Sequence, residues 1–130
     1  MPITIETFIS REMEKPFAWR VTDCCATADR RVEEIVGFSP LQRFGRDYPD
    51  EASARAWLSE PGGIAVAVNR VMRLSGFKKV DQPHVDDIGL IIFAGRMMAA
   101  IWTGAVWFSR DEGGFIGAPL EAAWKIWRIR

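Results

Sequence analysis

Apolar residues recur at helical spacing through the first half of the chain. Ile5, Phe8 and Met13 fall on one face of a helical projection. Pro16 follows and cannot continue a helix, so the spacing predicts a helix over Ile5–Lys15. The same spacing predicts three further helices, which are Cys24–Val36, Glu51–Leu58 and Ile64–Leu74.

The predicted helix Cys24–Val36 has the clearest boundaries of the four. Asp23 or Thr22 offers a side-chain oxygen that can cap its first turn. Gly37 follows its last turn and is typical of a helix C-terminus. The next stretch, residues 38–49, is rich in turn formers, and we expect it to be irregular.

After Pro83 the pattern changes to short apolar runs separated by glycines. Such runs are typical of strands joined by tight turns, and they predict a small antiparallel sheet. Helices followed by strands indicate an α+β fold, and 130 residues fit a single domain over 1–130. The predicted strands are Ile88–Phe93, Met97–Trp102, Ala105–Phe108 and Trp124–Ile129.

Composition and charge narrow the classes of partner. With 48% hydrophobic and 26% charged residues, the chain can fill one ordinary core. Seventeen basic residues balance seventeen acidic ones, which removes the usual electrostatic argument for a nucleic-acid binder. No run approaches the roughly 18 apolar residues of a membrane span. The N-terminus is too charged for a signal peptide, so we expect synthesis in the cytoplasm.

The two cysteines of the sequence, Cys24 and Cys25, are adjacent. Neighbouring residues close only a small strained ring, so we expect no disulfide between them. Two cysteines and one histidine show no metal-ligand spacing, and we expect no metal and no cofactor. The acidic residues Asp81, Asp86 and Asp87 match no calcium-loop signature, although a divalent cation bound by their carboxylates is an alternative.

Cys24 is the residue with the strongest chemical argument. At the start of a helix, a thiol lies near unpaired N–H groups and the positive end of the helix dipole, which favours the nucleophilic thiolate. Cys25 falls on the apolar stripe of the same helix and is expected in the core. The alternative is that both cysteines are small buried apolar residues.

Short motifs follow one another along the chain in an order that resembles a known family. They are FAW at 17–19, DCC at 23–25, Gly37, GRDY at 45–48, Gly62-Gly63, DDIG at 86–89, Gly104, GGFI at 113–116 and AWKI at 123–126. The order resembles the NlpC-type cysteine peptidases, compact relatives of papain, and more closely a group of small phage tail-associated proteins. The resemblance implies N-terminal helices packed on a C-terminal antiparallel sheet, with Cys24 in the place of the nucleophile.

The resemblance also implies a histidine base on a strand, six residues before the glycine at 104. Met98 stands there in this chain, and a thioether cannot accept a proton. The one histidine, His84, is an alternative base that Asp23 or Asp86 could orient. The other interpretation of His84 is a solvated loop residue beside acids.

Trp124 and Trp127 are candidates for a protein interface. Residues three apart on a strand point to opposite faces, so one of the two is expected to be exposed. An exposed tryptophan is an effective anchor at an interface, whereas a buried one belongs to the core.

Two functions from different classes follow from these observations. The first is a structural or adaptor protein of a phage tail, made in the host cytoplasm, with an incomplete catalytic set and other tail proteins as partners. The second is an active cysteine endopeptidase or amidase of bacterial cell walls, with Cys24 as nucleophile and peptidoglycan as partner. The missing base at Met98 favours the first function.

Overall fold

The computed structural model describes residues 2–46 and 48–130, so Met1 and Asp47 of the GRDY motif lie outside the described residues. In these residues, five α-helices precede the strands, and a short 3-10 helix, Leu120–Ala122, lies before the last strand. No helix of the described residues has the length and apolar character needed to cross a membrane. The helices are α1 (Ile5–Met13), α2 (Cys24–Val36), α3 (Pro40–Phe44), α4 (Glu51–Leu58) and α5 (Gly63–Leu74). The strands are β1 (Lys78–Lys79), β2 (Ile88–Phe93), β3 (Arg96–Trp102), β4 (Trp107–Asp111), β5 (Gly114–Ala118) and β6 (Ala123–Arg128).

The strands form one antiparallel sheet, which confirms the α+β prediction. Their order is β1-β6-β2-β3-β4-β5, and β2 pairs along its length with β3. Strands β3 and β4 pair only near Ile101 and Trp102, at the end of β3. Beyond these pairs, the Ser109 hydroxyl donates to the Ala99 carbonyl oxygen at 2.7 Å, and α2 packs against both strands.

The predicted ends of α2 are confirmed. The Asp23 side chain accepts a hydrogen bond from the backbone N–H of Ala26 at 2.9 Å, as an N-cap residue does. Gly37 ends the helix with φ of 89°, a left-handed conformation that glycine adopts without steric cost. The local sequence is sufficient to begin and end this helix.

The prediction that residues 38–49 are irregular is wrong, because α3 lies within them. Ser39 caps α3 through the backbone N–H of Gln42, and Pro40 occupies its first position. Asp29 of α2 accepts hydrogen bonds from the Ser39 hydroxyl and the Leu41 N–H. Contact with α2 thus stabilises a helix of five residues that is too short to be stable alone.

Several strand boundaries also differ from prediction. Residues 105 and 106 form a turn, because the Thr103 hydroxyl accepts hydrogen bonds from both of their N–H groups. The third predicted strand is therefore shifted to Trp107–Asp111. Strands β1 and β5 were not predicted, and β5 is glycine-rich but is held by its register with β4. Helix α1 ends two residues earlier than predicted, at Met13.

The two faces of the sheet bury separate apolar clusters. Ala99 and Ile101 face the helices and join residues of α1, α2 and α5 in what we call the helix-side cluster. Met98 and Ala100 point to the other face, where a second cluster, the strand-side cluster, is built mainly from strand residues. Cys24 packs against both clusters, which places its thiol at the boundary between helices and sheet.

Candidate functional site

Cys24 lies in the wall of a cavity of about 160 Å³ between the helices and the sheet. It is the first residue of α2, and both it and Cys25 are partly buried. Apolar side chains from α2, α3, α4, α5 and β3 form most of the wall. They include Val32, Leu41, Ala54, Trp57, Leu58, Ile64, Val68, Val71, Met97 and Met98.

Asp23 fixes the position of the cysteine pair. Beyond capping α2, its carboxylate accepts hydrogen bonds from the backbone N–H of Arg20 and from the Tyr48 hydroxyl, the latter at 3.0 Å. Burial raises the pKa of Tyr48, and the nearby acidic groups add to this rise, so its hydroxyl stays a donor. Asp23 therefore orients α2, and the structure does not place it beside an imidazole.

The environment distinguishes the two thiols. Their sulfur atoms are 3.9 Å apart. The hydrogen bond between the thiols lowers the pKa of Cys24, and a hydrogen bond with the backbone of Ala99 lowers it further. Burial and the charge of Asp23 oppose this effect without reversing it. The same thiol pair raises the pKa of Cys25 well above its ordinary value. We therefore expect Cys24 to be the better nucleophile of the two.

Met98 lies on the strand that packs beside Cys24. It is buried, pairs with Ile91 of β2 and lines the same cavity as Cys24. It also belongs to the strand-side cluster against which Cys24 packs. Residue 98 therefore shares a cavity wall and an apolar cluster with Cys24, on the strand where the family resemblance implies a base.

His84 does not reach the cysteine site. It is exposed in the loop before β2, and it does not line the cavity that contains Cys24. Its backbone N–H donates to the Asp87 carboxylate at 2.8 Å, and its carbonyl oxygen accepts from the Asp87 N–H at 2.9 Å. The prediction of His84 as a base for Cys24 is corrected, because its turn holds it at the loop before the sheet.

Asp86 has a structural role in place of the predicted orienting role. It is buried with φ of 79°, and it accepts a hydrogen bond from Arg31 Nε at 2.8 Å. Arg130 also pairs with it. The neighbouring Asp87 pairs with Arg128 at 2.8 Å. Because the Asp86 carboxylate is paired with arginines, it connects α2 and the C-terminal segment to the sheet.

The two interface candidates lie in different environments. Trp124 is 51% exposed, whereas Trp127 is 1% exposed within the helix-side cluster. The prediction of Trp127 as an interface residue is therefore wrong, because it is part of the core. Trp124 stays a predicted interface anchor.

Arg110 is a cavity residue that the sequence patterns did not indicate. It lies on β4, is 4% exposed, and lines the same cavity as Cys24. The first four residues of β4, Trp107 to Arg110, are all buried, and no local signal in the sequence distinguishes a buried arginine from an exposed one. Tyr48 was missed for a similar reason, although it is the single tyrosine of the sequence.

The described residues contain no group of three His, Cys, Asp or Glu side chains placed to hold a metal ion. No curated protein and no solved structure matches the chain. A family sequence profile does match, over residues 2–129. The chain therefore belongs to the DUF6950 family, whose description is a domain of unknown function.

Proposed function

We propose that the protein is a structural or adaptor component of a phage tail, built on an NlpC-like, papain-related fold whose catalytic set is incomplete. The order of sequence motifs supports the fold assignment. A helix that begins at a cysteine and packs beside an antiparallel sheet is the arrangement expected of that superfamily. Fold alone does not fix activity, so the argument rests on the site.

The presence of Met98 in the cavity wall with Cys24 is the single observation that carries this proposal. Cysteine hydrolases need a group that takes the thiol proton and later protonates the leaving group. Methionine can do neither, and His84 lies in an exposed loop. Phage-tail membership comes from the motif resemblance, and exposed Trp124 offers one contact point for a neighbouring tail protein.

A second candidate function is an active cysteine endopeptidase or amidase that cuts cell-wall peptides. The lowered pKa of Cys24 at the edge of a cavity favours it. In this alternative the thiolate forms without a histidine, and water or substrate supplies the proton for the leaving amine.

A hydrolysis assay with cross-linked cell-wall peptides separates the two functions. We expect the wild-type protein to release no more product than Cys24→Ala. Product that appears with the wild type and is lost in Cys24→Ala would establish the peptidase. Mass spectrometry of purified phage particles tests the tail assignment, and absence of the chain from the particles contradicts it.

The substitution Met98→His tests whether residue 98 occupies the position of a base. An imidazole there is expected to form an ion pair with the Cys24 thiolate and accelerate alkylation of Cys24 at neutral pH. Ile92→His is the control, because Ile92 lies on the neighbouring strand β2, is 51% exposed and does not line the cavity that contains Cys24. Equal rates in the two variants would show that position 98 does not serve Cys24.

A further inference from the structure

Arg110 is a buried cation in the cavity wall, and among the described residues it has no carboxylate partner. Its Nη1 donates to the backbone oxygens of Glu12 at 3.3 Å and Lys15 at 3.1 Å, at the end of α1. Its Nε is buried and has no hydrogen-bond partner. The guanidinium also lies over the rings of Phe17 and Phe115. An unpaired donor on a buried cation is costly, which makes this position unusual.

Two carboxylates near Arg110, those of Glu12 and Asp111, are committed to other partners, and a third cavity residue, Glu112, is exposed. The Glu12 side chain, 1% exposed, pairs with Arg30 and Lys15. Although burial raises the pKa of Glu12, these ion pairs outweigh burial and keep its pKa below the ordinary value. Asp111 at the edge of the cavity pairs with Arg96 at 2.9 Å. The guanidinium of Arg110 is therefore available to an anion from outside the chain.

The rest of the cavity restricts what that anion can be attached to. Most of the wall is aliphatic or aromatic, and a dry apolar cavity of ~150 Å³ accepts a molecule the size of benzene. The polar groups of buried Asp23 and partly buried Asp29 already accept hydrogen bonds from the chain itself. Amide groups of a peptide would find few partners here, whereas a hydrocarbon body would lose nothing on entering.

We infer that the cavity binds a small carboxylic acid with an apolar body of about six to nine carbons, whose carboxylate pairs with Arg110. The planar guanidinium fork of Arg110 suits a carboxylate, which would neutralise the buried charge. The apolar body would lie between α5 and β3, beside Cys24. This inference does not depend on the adaptor function, because it uses Arg110 and the cavity and makes no use of the missing base.

The test compares 3-phenylpropanoate with 3-phenylpropan-1-ol and 3-phenylpropylamine, by calorimetric titration of the wild-type protein. We expect the carboxylate to bind about tenfold or more tightly than the alcohol, as a charge-assisted hydrogen bond implies, and the amine to bind most weakly. Equal affinity for carboxylate and alcohol would overturn the assignment. An acetylated tripeptide ending in leucine serves as the peptide arm, and tighter binding of its free carboxylate than of 3-phenylpropanoate would also overturn it.

Two substitutions test whether the carboxylate binds in this cavity. Arg110→Gln should abolish the preference for the carboxylate, while substitution of the exposed Arg55 of α4, Arg55→Gln, should keep it. Because Arg110 also contacts the end of α1, Val68→Phe provides an independent test by filling the cavity without changing Arg110. We expect Val68→Phe to lower the affinity for all three probes. Unchanged affinity in that variant, or preserved preference in folded Arg110→Gln, would contradict the inference.

Discussion

Two segments of this chain, the start of α2 and the loop before β2, carry clustered ionisable side chains, and the fold places them in different environments. At the start of α2, Asp23 holds Cys24 at the edge of a cavity, with a thiol whose pKa is lowered. Before β2, Asp86 is closed off by arginines, and His84 beside it is exposed. Both segments resemble sites when only the sequence is considered. The comparison shows that ion-pair partners from distant segments determine which of the two segments has its side chains bound within the fold.

The largest expected effect on stability comes from removing the ion pair between Asp86 and Arg31, in the segment before β2. Asp86→Asn removes the charge that compensates buried Arg31 while keeping a residue type that tolerates positive φ. We expect a loss of about 3 kcal/mol in the free energy of unfolding, because buried Arg31 then keeps only the partly exposed Glu34 as a counter-charge. Urea denaturation measures it. Asp81→Asn in the same exposed loop is the control and should change stability by less than about 0.5 kcal/mol. Equal losses in the two variants would show that the Asp86 pair is not structural.

A smaller loss of stability is expected at the cysteine segment. Tyr48→Phe removes the buried hydroxyl that donates to Asp23, at a cost of about 1–2 kcal/mol in the free energy of unfolding. The same denaturation experiment measures it. An unchanged free energy would mean that Asp23 does not need Tyr48, and that the helix cap alone holds the cysteine pair.

The third prediction concerns the pKa of Cys24. Because the Cys25 thiol is the main cause that lowers this pKa, Cys25→Ala should raise it toward the ordinary value of 9.0. A rise of one unit lowers the thiolate fraction at pH 7 about tenfold. The pH dependence of iodoacetamide alkylation, followed by mass spectrometry, measures the shift. A downward shift would show that the neighbouring thiol disfavours the thiolate.

The smallest effect is expected from His84→Ala. The residue is exposed and engages its turn through backbone atoms, so the free energy of unfolding should change by less than about 0.5 kcal/mol. The alkylation profile of Cys24 should also be unchanged. Slower alkylation of Cys24 near neutral pH would contradict this prediction and would indicate that His84 acts as a base for Cys24.

Local signals in the sequence were enough to predict those elements whose ends are set by their own residues. Helix α2 has Asp23 and Gly37 at its ends, and strand β2 is a continuous apolar run, so both boundaries are confirmed. Helix α3 and strand β5 depend on partners elsewhere, namely Asp29 and strand β4. The patterns missed these two elements because each is stabilised mainly by tertiary contacts.

The candidate site was predictable to a similar extent. A cysteine that follows a capping aspartate indicates a thiol at a helix N-terminus, and the structure has one there. The pairing of Arg31 with Asp86 joins residues 55 positions apart, and nothing in either local segment indicates it. The role of Arg110 was not predicted for the same reason, since the backbone oxygens that it contacts belong to Glu12 and Lys15, far earlier in the chain.

The contact between Arg110 and the end of α1 has a consequence for the order of folding. It joins positions 98 residues apart, so it can form only after β4 and the N-terminal segment have met. Closing so long a loop is slow relative to forming neighbouring strand pairs. We therefore expect the first helix to dock onto strands that have already paired, and the Arg110 side chain to become fixed only at that step.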